Sequence, residues 1–112
     1  CAGAYLGNKF PCIMMQNTGI GNSINAIVSL LQLYNIPIVF LISYRGTPGE
    51  AVAAQAGMAN ITEEILSKLK IPMLICSSEK DLEKITTYTK HAKIMETPIA
   101  ILCDNQFMKE DK

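Results

Sequence analysis

Short apolar runs alternate along the chain with longer segments of mixed polarity. Pro11 to Gln16, Ile38 to Ser43, Pro72 to Cys76 and Pro98 to Cys103 are each strand-length. The second of them is a continuous apolar run, as expected for a parallel strand covered on both faces. Between the first two lies a helical pattern from about Asn22 to Asn35. Its apolar residues (Ile24, Ile27, Val28, Leu30, Leu31, Leu33, Tyr34) cover most of the circumference, which predicts burial on more than one side. Asn35-Ile36-Pro37 breaks it. Tyr44 to Asn60 reads as a long glycine-containing connection, with a helical turn over Ala51 to Ala56. Thr62-Glu63-Glu64 then opens a short helix to about Lys70. Ser78, with Glu79 and Asp81 in the first turn, caps a helix to about Met95 whose inner face is Leu82, Ile85, Thr89, Ala92 and Met95. Asp104 to Lys112 is a polar tail. The order β-α-β-α-β-α-β predicts an α/β fold, a parallel sheet with helices on both faces.

The pivot of this pattern is the stretch Met15-Gln16-Asn17-Thr18-Gly19-Ile20-Gly21-Asn22-Ser23-Ile24-Asn25, between the first strand and the first long helix. Two glycines at i and i+2 suit a sharp turn and leave no Cβ where a ligand would approach. Asn22 and Ser23 are placed as N-cap residues, and such a helix start favours an anion or a polar heterocycle. The dinucleotide fingerprint fails twice. Its third glycine falls on Ile24, and the acid expected near the end of strand two is replaced by Ser43-Tyr44-Arg45. The amides of Gln16, Asn17 and Asn22 offer both donors and acceptors, which suits a neutral heterocycle or a carboxylate. A tight turn with no ligand is the plain alternative.

Carboxyl ends of parallel strands form one rim, where ligands bind. Arg45, just beyond strand two, would share that rim with Asn17 and is a candidate anion ligand. Gln55, polar within the small apolar run Ala53 to Met58, is a weaker candidate of the same kind. Glu63-Glu64 is read as a helix-start charge pattern, and His91 as a solvated helix residue. No Ser-His-Asp or Cys-His pattern is legible.

The 112 residues suit one domain, and 10 basic against 10 acidic residues argue against a nucleic-acid or anionic-membrane surface. No apolar run reaches a membrane span, and no signal peptide is visible. Cys1, Cys12, Cys76 and Cys103 form no C-x-x-C pair, so no metal site is expected. Strand cysteines acting as small hydrophobes fit a reduced cytoplasmic interior. Cys1 to Gly7 reads as the tail of a helix closed by a C′ glycine. A domain seldom starts inside a helix, so an N-terminal portion is expected to be missing.

Gly3-Ala4-Tyr5-Leu6-Gly7, Met15 to Ala26, Leu41-Ile42-Ser43-Tyr44-Arg45-Gly46 and Ala54-Gln55-Ala56-Gly57-Met58 together resemble the alpha subunits of sulfopyruvate decarboxylases. They are similar, less closely, to the N-terminal part of phosphonopyruvate decarboxylases. Both groups are thiamine-diphosphate-dependent 2-oxoacid decarboxylases. The resemblance implies a pyrimidine-binding (Pyr) domain over residues 1–112, lacking its N-terminal portion. The cofactor would lie between this domain and a diphosphate-binding (PP) domain on a separate beta subunit, which holds the diphosphate through Mg2+. A hetero-oligomer follows. By motif position, Asn17, Thr18, Gly19, Gly21 and Asn22 would line the cofactor pocket, and Arg45 and Gln55 would face the substrate. Thr18 and Ile20 stand where the family often has Ser and Leu. The family's catalytic glutamate precedes the Cys1 helix, so no catalytic residue is assigned here and the chain alone is expected to be inactive. The implied reaction converts 3-sulfopyruvate to sulfoacetaldehyde and CO2, in the setting of coenzyme M biosynthesis. Phosphonopyruvate or another 2-oxoacid is the alternative substrate, and a non-catalytic Pyr-like partner subunit is the alternative role.

Overall fold

The four apolar runs form strands β1 (Cys12–Gln16), β2 (Val39–Ser43), β3 (Met73–Cys76) and β4 (Ile99–Cys103) in the computed structural model, which describes residues 1–108. They make one sheet in the order β1-β2-β4-β3, with every pair parallel. The helices are α1 (Ala2–Leu6), α2 (Thr18–Ala26), α3 (Ala53–Lys68) and α4 (Leu82–Met95). A π-helical stretch, Ile27–Gln32, prolongs α2, and a 3-10 turn, Glu79–Asp81, leads into α4.

Handedness decides which helix covers which face. The chain moves in one direction across the sheet from β1 to β2 and on to β3, then turns back to β4. Right-handed crossovers therefore put α2 and α3 on one face and α4 on the other. The alternation along β2 and β4 matches this. Phe40, Ile42, Ala100 and Leu102 pack with Ile20, Ile27, Leu31 and Leu66 of α2, its extension and α3. Val39, Ile99, Ile101 and Cys103 pack with Ala92 of α4.

Helix boundaries differ from the periodicity. A single 16-residue helix replaces the turn at Ala51–Ala56 and the short helix after Thr62. The glycine and alanine content of Ala53 to Gly57 hid it, because small residues carry little periodic signal. Glu63 and Glu64 accordingly lie inside α3 rather than at its start. The helix after β1 is also less enclosed than its apolar count suggests. Ile27 and Leu31 are buried, yet Leu33 and Tyr34 are 65% and 66% exposed. One helix against one sheet face covers only a stripe, and nothing among the described residues lies on the outer side. On α4 the inner face is Ile85, Tyr88, Thr89 and Ala92, whereas Leu82 and Met95 are exposed. The predicted polar tail begins as a turn held by Asp104, whose Oδ1 accepts from the N–H groups of Gln106 and Phe107. Residues 109–112 of that tail lie outside the described residues.

Ser78 lies at the start of the turn into α4, as the sequence predicts, but Asp81 does more of the capping. Its Oδ2 accepts from the N–H groups of Ser77 (3.1 Å) and Ser78 (3.2 Å), and its Oδ1 from Lys84 Nζ (2.8 Å). Lys84 first, then these N–H groups, lower the Asp81 carboxyl from 3.8 to about 2. A depressed carboxylate stabilises the fold above its unfolded pKa and loses that contribution as pH falls through the folded value. Asp81→Asn should therefore lower the urea midpoint at neutral pH. The gap to the parent protein should close between about pH 4 and pH 2, as titrated denaturation curves would read.

At the far end of α4, Glu96 sits in the left-handed region (φ 49°, ψ 48°). An L-residue with a Cβ is disfavoured there by roughly 1–2 kcal/mol, and glycine is not. Glu96→Gly should raise stability by up to about 1 kcal/mol, read from the same denaturation midpoints.

Candidate functional site

Register sets the rim. Gln16 aligns with Ser43, Ser43 with Cys103, and Cys103 with Cys76, so all four strands end level. The residues that follow each strand, Asn17, Tyr44-Arg45, Ser77 and Asp104, are therefore neighbours by construction. Tyr44 N–H donates to Cys103 O (2.7 Å), Asn17 N–H to Ser43 O (3.1 Å) and Asp104 N–H to Cys76 O (3.1 Å).

Asn17 is fully buried. Its Nδ2 donates to Arg45 O (3.0 Å) and Thr62 Oγ1 (3.1 Å), and its Oδ1 accepts from Arg45 N–H (3.3 Å). Both amide hydrogens are thus spent inside the protein. The side chain ties the end of β1 to the loop after β2 and to the middle of α3. Thr62, also fully buried, passes its own hydrogen to Met58 O one turn back. Sequence reasoning missed Thr62, since a single threonine in a helix carries no signal until the opposing amide is known.

The helix begins at Thr18, four residues earlier than predicted, so the two glycines lie within its first turns. Neither has positive φ, and the turn they were expected to make is absent. Asn17 occupies the N-cap position in α-helical geometry, with Ile20 N–H donating to its carbonyl (3.1 Å). Asn22 is an exposed helical residue and Ser23 donates back to Gly19 O (2.8 Å), so neither caps the helix. Gly19 instead serves close approach, because a Cβ there would stand 3.0 Å from Met15 Sδ. A Cβ on Gly21 would meet nothing within 4 Å. Thr18 is half-buried, and the space above Gly21 and Asn22 is open.

Arg45 lies on the rim as expected, but it is already paired. Its Nε and Nη2 donate to Oε2 and Oε1 of Glu50, each at 2.7 Å. The same carboxylate accepts from Gly46 N–H (3.1 Å) and Val52 N–H (3.0 Å). The Arg45 guanidinium, followed by these N–H groups, holds the Glu50 carboxyl far below the usual carboxylate range. Gly46 is required at φ 88°, where a Cβ would overlap the Gln55 carbonyl and stand 2.8 Å from Ala59 Cβ. The Arg45–Glu50 loop is thus pressed onto the first turns of α3. Beneath it Gln55 is half-buried, and its Oε1 is a buried acceptor with no partner among the described residues.

Tyr44 is buried and its hydroxyl donates to Glu63 Oε1 (2.8 Å), with Ala59 O also in reach at 3.2 Å. Burial first, then the Glu63 carboxylate, pushes its pKa up to about 12. The loops after β2 and β4 meet where Asn105 N–H donates to Thr47 Oγ1 (3.3 Å). Burial pushes Cys76 up to about 11 and raises Cys103, so both thiols stay protonated. His91 is exposed, as expected. On the α4 face, an apolar groove of about 590 Å³ reaches the rim at Gln16 and Ser43, lined by Met14, Leu41, Leu82, Ile85 and Phe107.

No protein-family model matches the chain. The alpha subunit of sulfopyruvate decarboxylase from Methanococcus maripaludis is 41% identical over 113 residues, spanning 100% of this chain and 68% of that protein. The chain belongs to the sulfopyruvate decarboxylase alpha-subunit family. The corresponding subunit from Methanocaldococcus jannaschii is 38% identical, over 99% of this chain and 66% of its own length. The chain thus spans about two thirds of the alpha subunits it matches. Phosphonopyruvate decarboxylase from Streptomyces viridochromogenes is 37% identical over 91 residues, 80% of this chain but 21% of that protein.

Within this family's motif, the rim sorts into two kinds of residue. Asn17 and Thr62 are consumed in holding the rim together. Gly21 and Asn22 face open space beside the half-buried Thr18, and Arg45 has donors that Glu50 does not use. Glu50 was not singled out from the sequence, although an acid closing Arg45-Gly46-Thr47-Pro48-Gly49 was there to be read.

Removing the Asn17 amide leaves the Arg45 carbonyl and the buried Thr62 Oγ1 without their donor, while Arg45 N–H keeps Ser43 O (3.1 Å). Asn17→Ala should therefore cost about 2–4 kcal/mol, from lost bonds plus stranded polar groups. Asn22→Ala should cost under about 0.5 kcal/mol, as an exposed helical site does. Thermal melts of the two variants test the reassignment of the cap.

Proposed function

We propose that the chain is the Pyr-domain part of a thiamine-diphosphate-dependent decarboxylase acting on 3-sulfopyruvate. What carries this reading is the similarity to alpha subunits named sulfopyruvate decarboxylase, which runs the whole length of the chain. A beta subunit with a PP domain and Mg2+ completes the site on this reading, and the complex works in the cytoplasm. The four free cysteines support that location, and no helix among the described residues is long and apolar enough to cross a membrane.

The residues present fit one half of the cofactor. Thr18, Gly21 and Asn22 give an uncharged, polar, open surface at the start of α2, which suits an aminopyrimidine. Asn17 does not join it, because both its amide hydrogens are bound within the fold. Among the described residues no group of three or more His, Cys, Asp or Glu is arranged for a metal. On this reading the diphosphate and Mg2+ are held by the partner's PP domain.

Loss of CO2 from a 2-oxoacid leaves an electron pair that needs an acceptor. Thiamine diphosphate, when bound, supplies it. The part left to this chain is binding and orientation. The departing carboxylate gains nothing from a tight ground-state grip, since such a grip opposes its loss. The sulfonate remains throughout, so it is the end to hold. Arg45, with three N–H groups not used by Glu50, is the cation on the rim for that purpose.

Phosphonopyruvate is the second reading, supported by the partial match to a phosphonopyruvate decarboxylase. The full-length chain assembled with its beta partner should release CO2 from 3-sulfopyruvate only when thiamine diphosphate and Mg2+ are supplied. Higher kcat/KM on 3-phosphonopyruvate would transfer the assignment to the second reading. No turnover of any 2-oxoacid would leave a non-catalytic subunit. In the same complex, Arg45→Lys should weaken 3-sulfopyruvate use by about 1–3 kcal/mol, the scale of a charged hydrogen bond. Pyruvate, which has no sulfonate, should lose far less, and equal losses would remove Arg45 from substrate binding.

A further inference from the structure

We propose that Glu50 is a positioning residue that aims Arg45 at the substrate's retained oxyanion, and so sets the preference for 2-oxoacids bearing a second anionic group. The inference rests on the reading of Arg45 as the ligand of that group. A guanidinium has five N–H donors in one plane. Glu50 takes the side formed by Nε and Nη2, with both contacts at 2.7 Å. Left over are both hydrogens of Nη1 and the second hydrogen of Nη2. One Nη1 hydrogen and the second Nη2 hydrogen form the end-on fork, whose two parallel N–H vectors match two oxygens of one sulfonate or phosphonate.

Glu50 is suited to aiming because it cannot itself move easily. Each of its oxygens accepts twice, Oε1 from Nη2 and Val52 N–H, Oε2 from Nε and Gly46 N–H. Gly46 in turn is wedged against Gln55 and Ala59 of α3. The anchoring therefore runs from helix to backbone to carboxylate to guanidinium. Exposure follows the same gradient, since the Glu50 side chain is 7% accessible and that of Arg45 30%. The inner partner is sealed and the outer one reaches solvent.

The pair is neutral overall, so Glu50 weakens the long-range pull of Arg45 on anions. Its contribution is geometric. A free arginine samples many rotamers and must be ordered when the ligand arrives, whereas this one is already held. Selectivity for a tetrahedral oxyanion then comes from a fixed fork rather than from charge alone.

The test uses the full-length alpha subunit assembled with its beta partner. Variants E50Q, E50D, R45A and the double variant E50Q/R45A are compared in kcat/KM for 3-sulfopyruvate and for pyruvate. E50Q should lower 3-sulfopyruvate use roughly tenfold, through KM, as expected for a side chain no longer held in place. The loss for pyruvate should be much smaller. In the R45A background, E50Q should add no further loss. E50D keeps the charge but draws the anchor back by one methylene, and it should lose selectivity as well. It also serves where the E50Q complex fails to assemble. Equal losses for both substrates, or an E50Q effect that persists without Arg45, would make Glu50 a loop-stabilising residue and overturn the proposal. A gain in 3-sulfopyruvate use would make Glu50 a competitor for the fork and overturn it as well. If R45A itself leaves the ratio of the two substrates unchanged, the Arg45 reading fails, whatever the Glu50 variants do.

Discussion

The buried amide of Asn17 is the contact on which the rest of the rim depends. Three segments distant in sequence, the end of β1, the loop after β2 and the middle of α3, meet at this one side chain. Burying a primary amide without partners costs several kcal/mol on apolar-transfer scales, so the arrangement persists only with all three bonds made together. That requirement fixes where α3 lies against α2. It also fixes the Arg45 peptide, and with it the direction in which the Arg45 side chain leaves the sheet.

From that fixed peptide the loop builds outward by the same logic. Gly46 must adopt positive φ because α3 leaves no space for a Cβ. The turn it makes returns the chain so that Glu50 faces Arg45 and receives two backbone N–H groups as well. Polar groups that look available for a ligand in the sequence are therefore divided by the fold. Asn17 and Glu50 are used up internally. Asn22 remains exposed, and the buried Gln55 Oε1 has no partner among the described residues.

This division bears on what kind of chemistry the rim can serve. Its carboxylates at Asp104 and Glu63 accept from the Ser77 and Tyr44 hydroxyls, and its buried tyrosine and cysteines are driven towards their neutral forms. A surface of this kind is suited to binding and orienting a polar or anionic group. The open apolar groove on the α4 face and the exposed side of α2 are hydrophobic surface that the described elements leave uncovered.

The sequence by itself determined the fold class, the number and position of the strands, and the family. Four strands announce themselves as short apolar runs, and a parallel sheet needs helical crossovers between them, although only β4 is buried throughout and the edge strand β1 has no buried residue. The motif around Gly19 and Gly21 and the arginine after β2 were legible for the same local reason. What the tertiary structure decided was the role of each polar residue. Whether an asparagine caps a helix, faces a ligand or ties three segments together depends on partners 28 and 45 residues away, as with Asn17. The helix start moved to Thr18 and α3 became continuous because packing against the sheet outweighs the weak local preferences of glycine and alanine. Hydrophobic periodicity is a property of neighbours in sequence. The satisfaction of buried hydrogen bonds is a property of neighbours in space, and it decides which polar side chains are used up inside the fold.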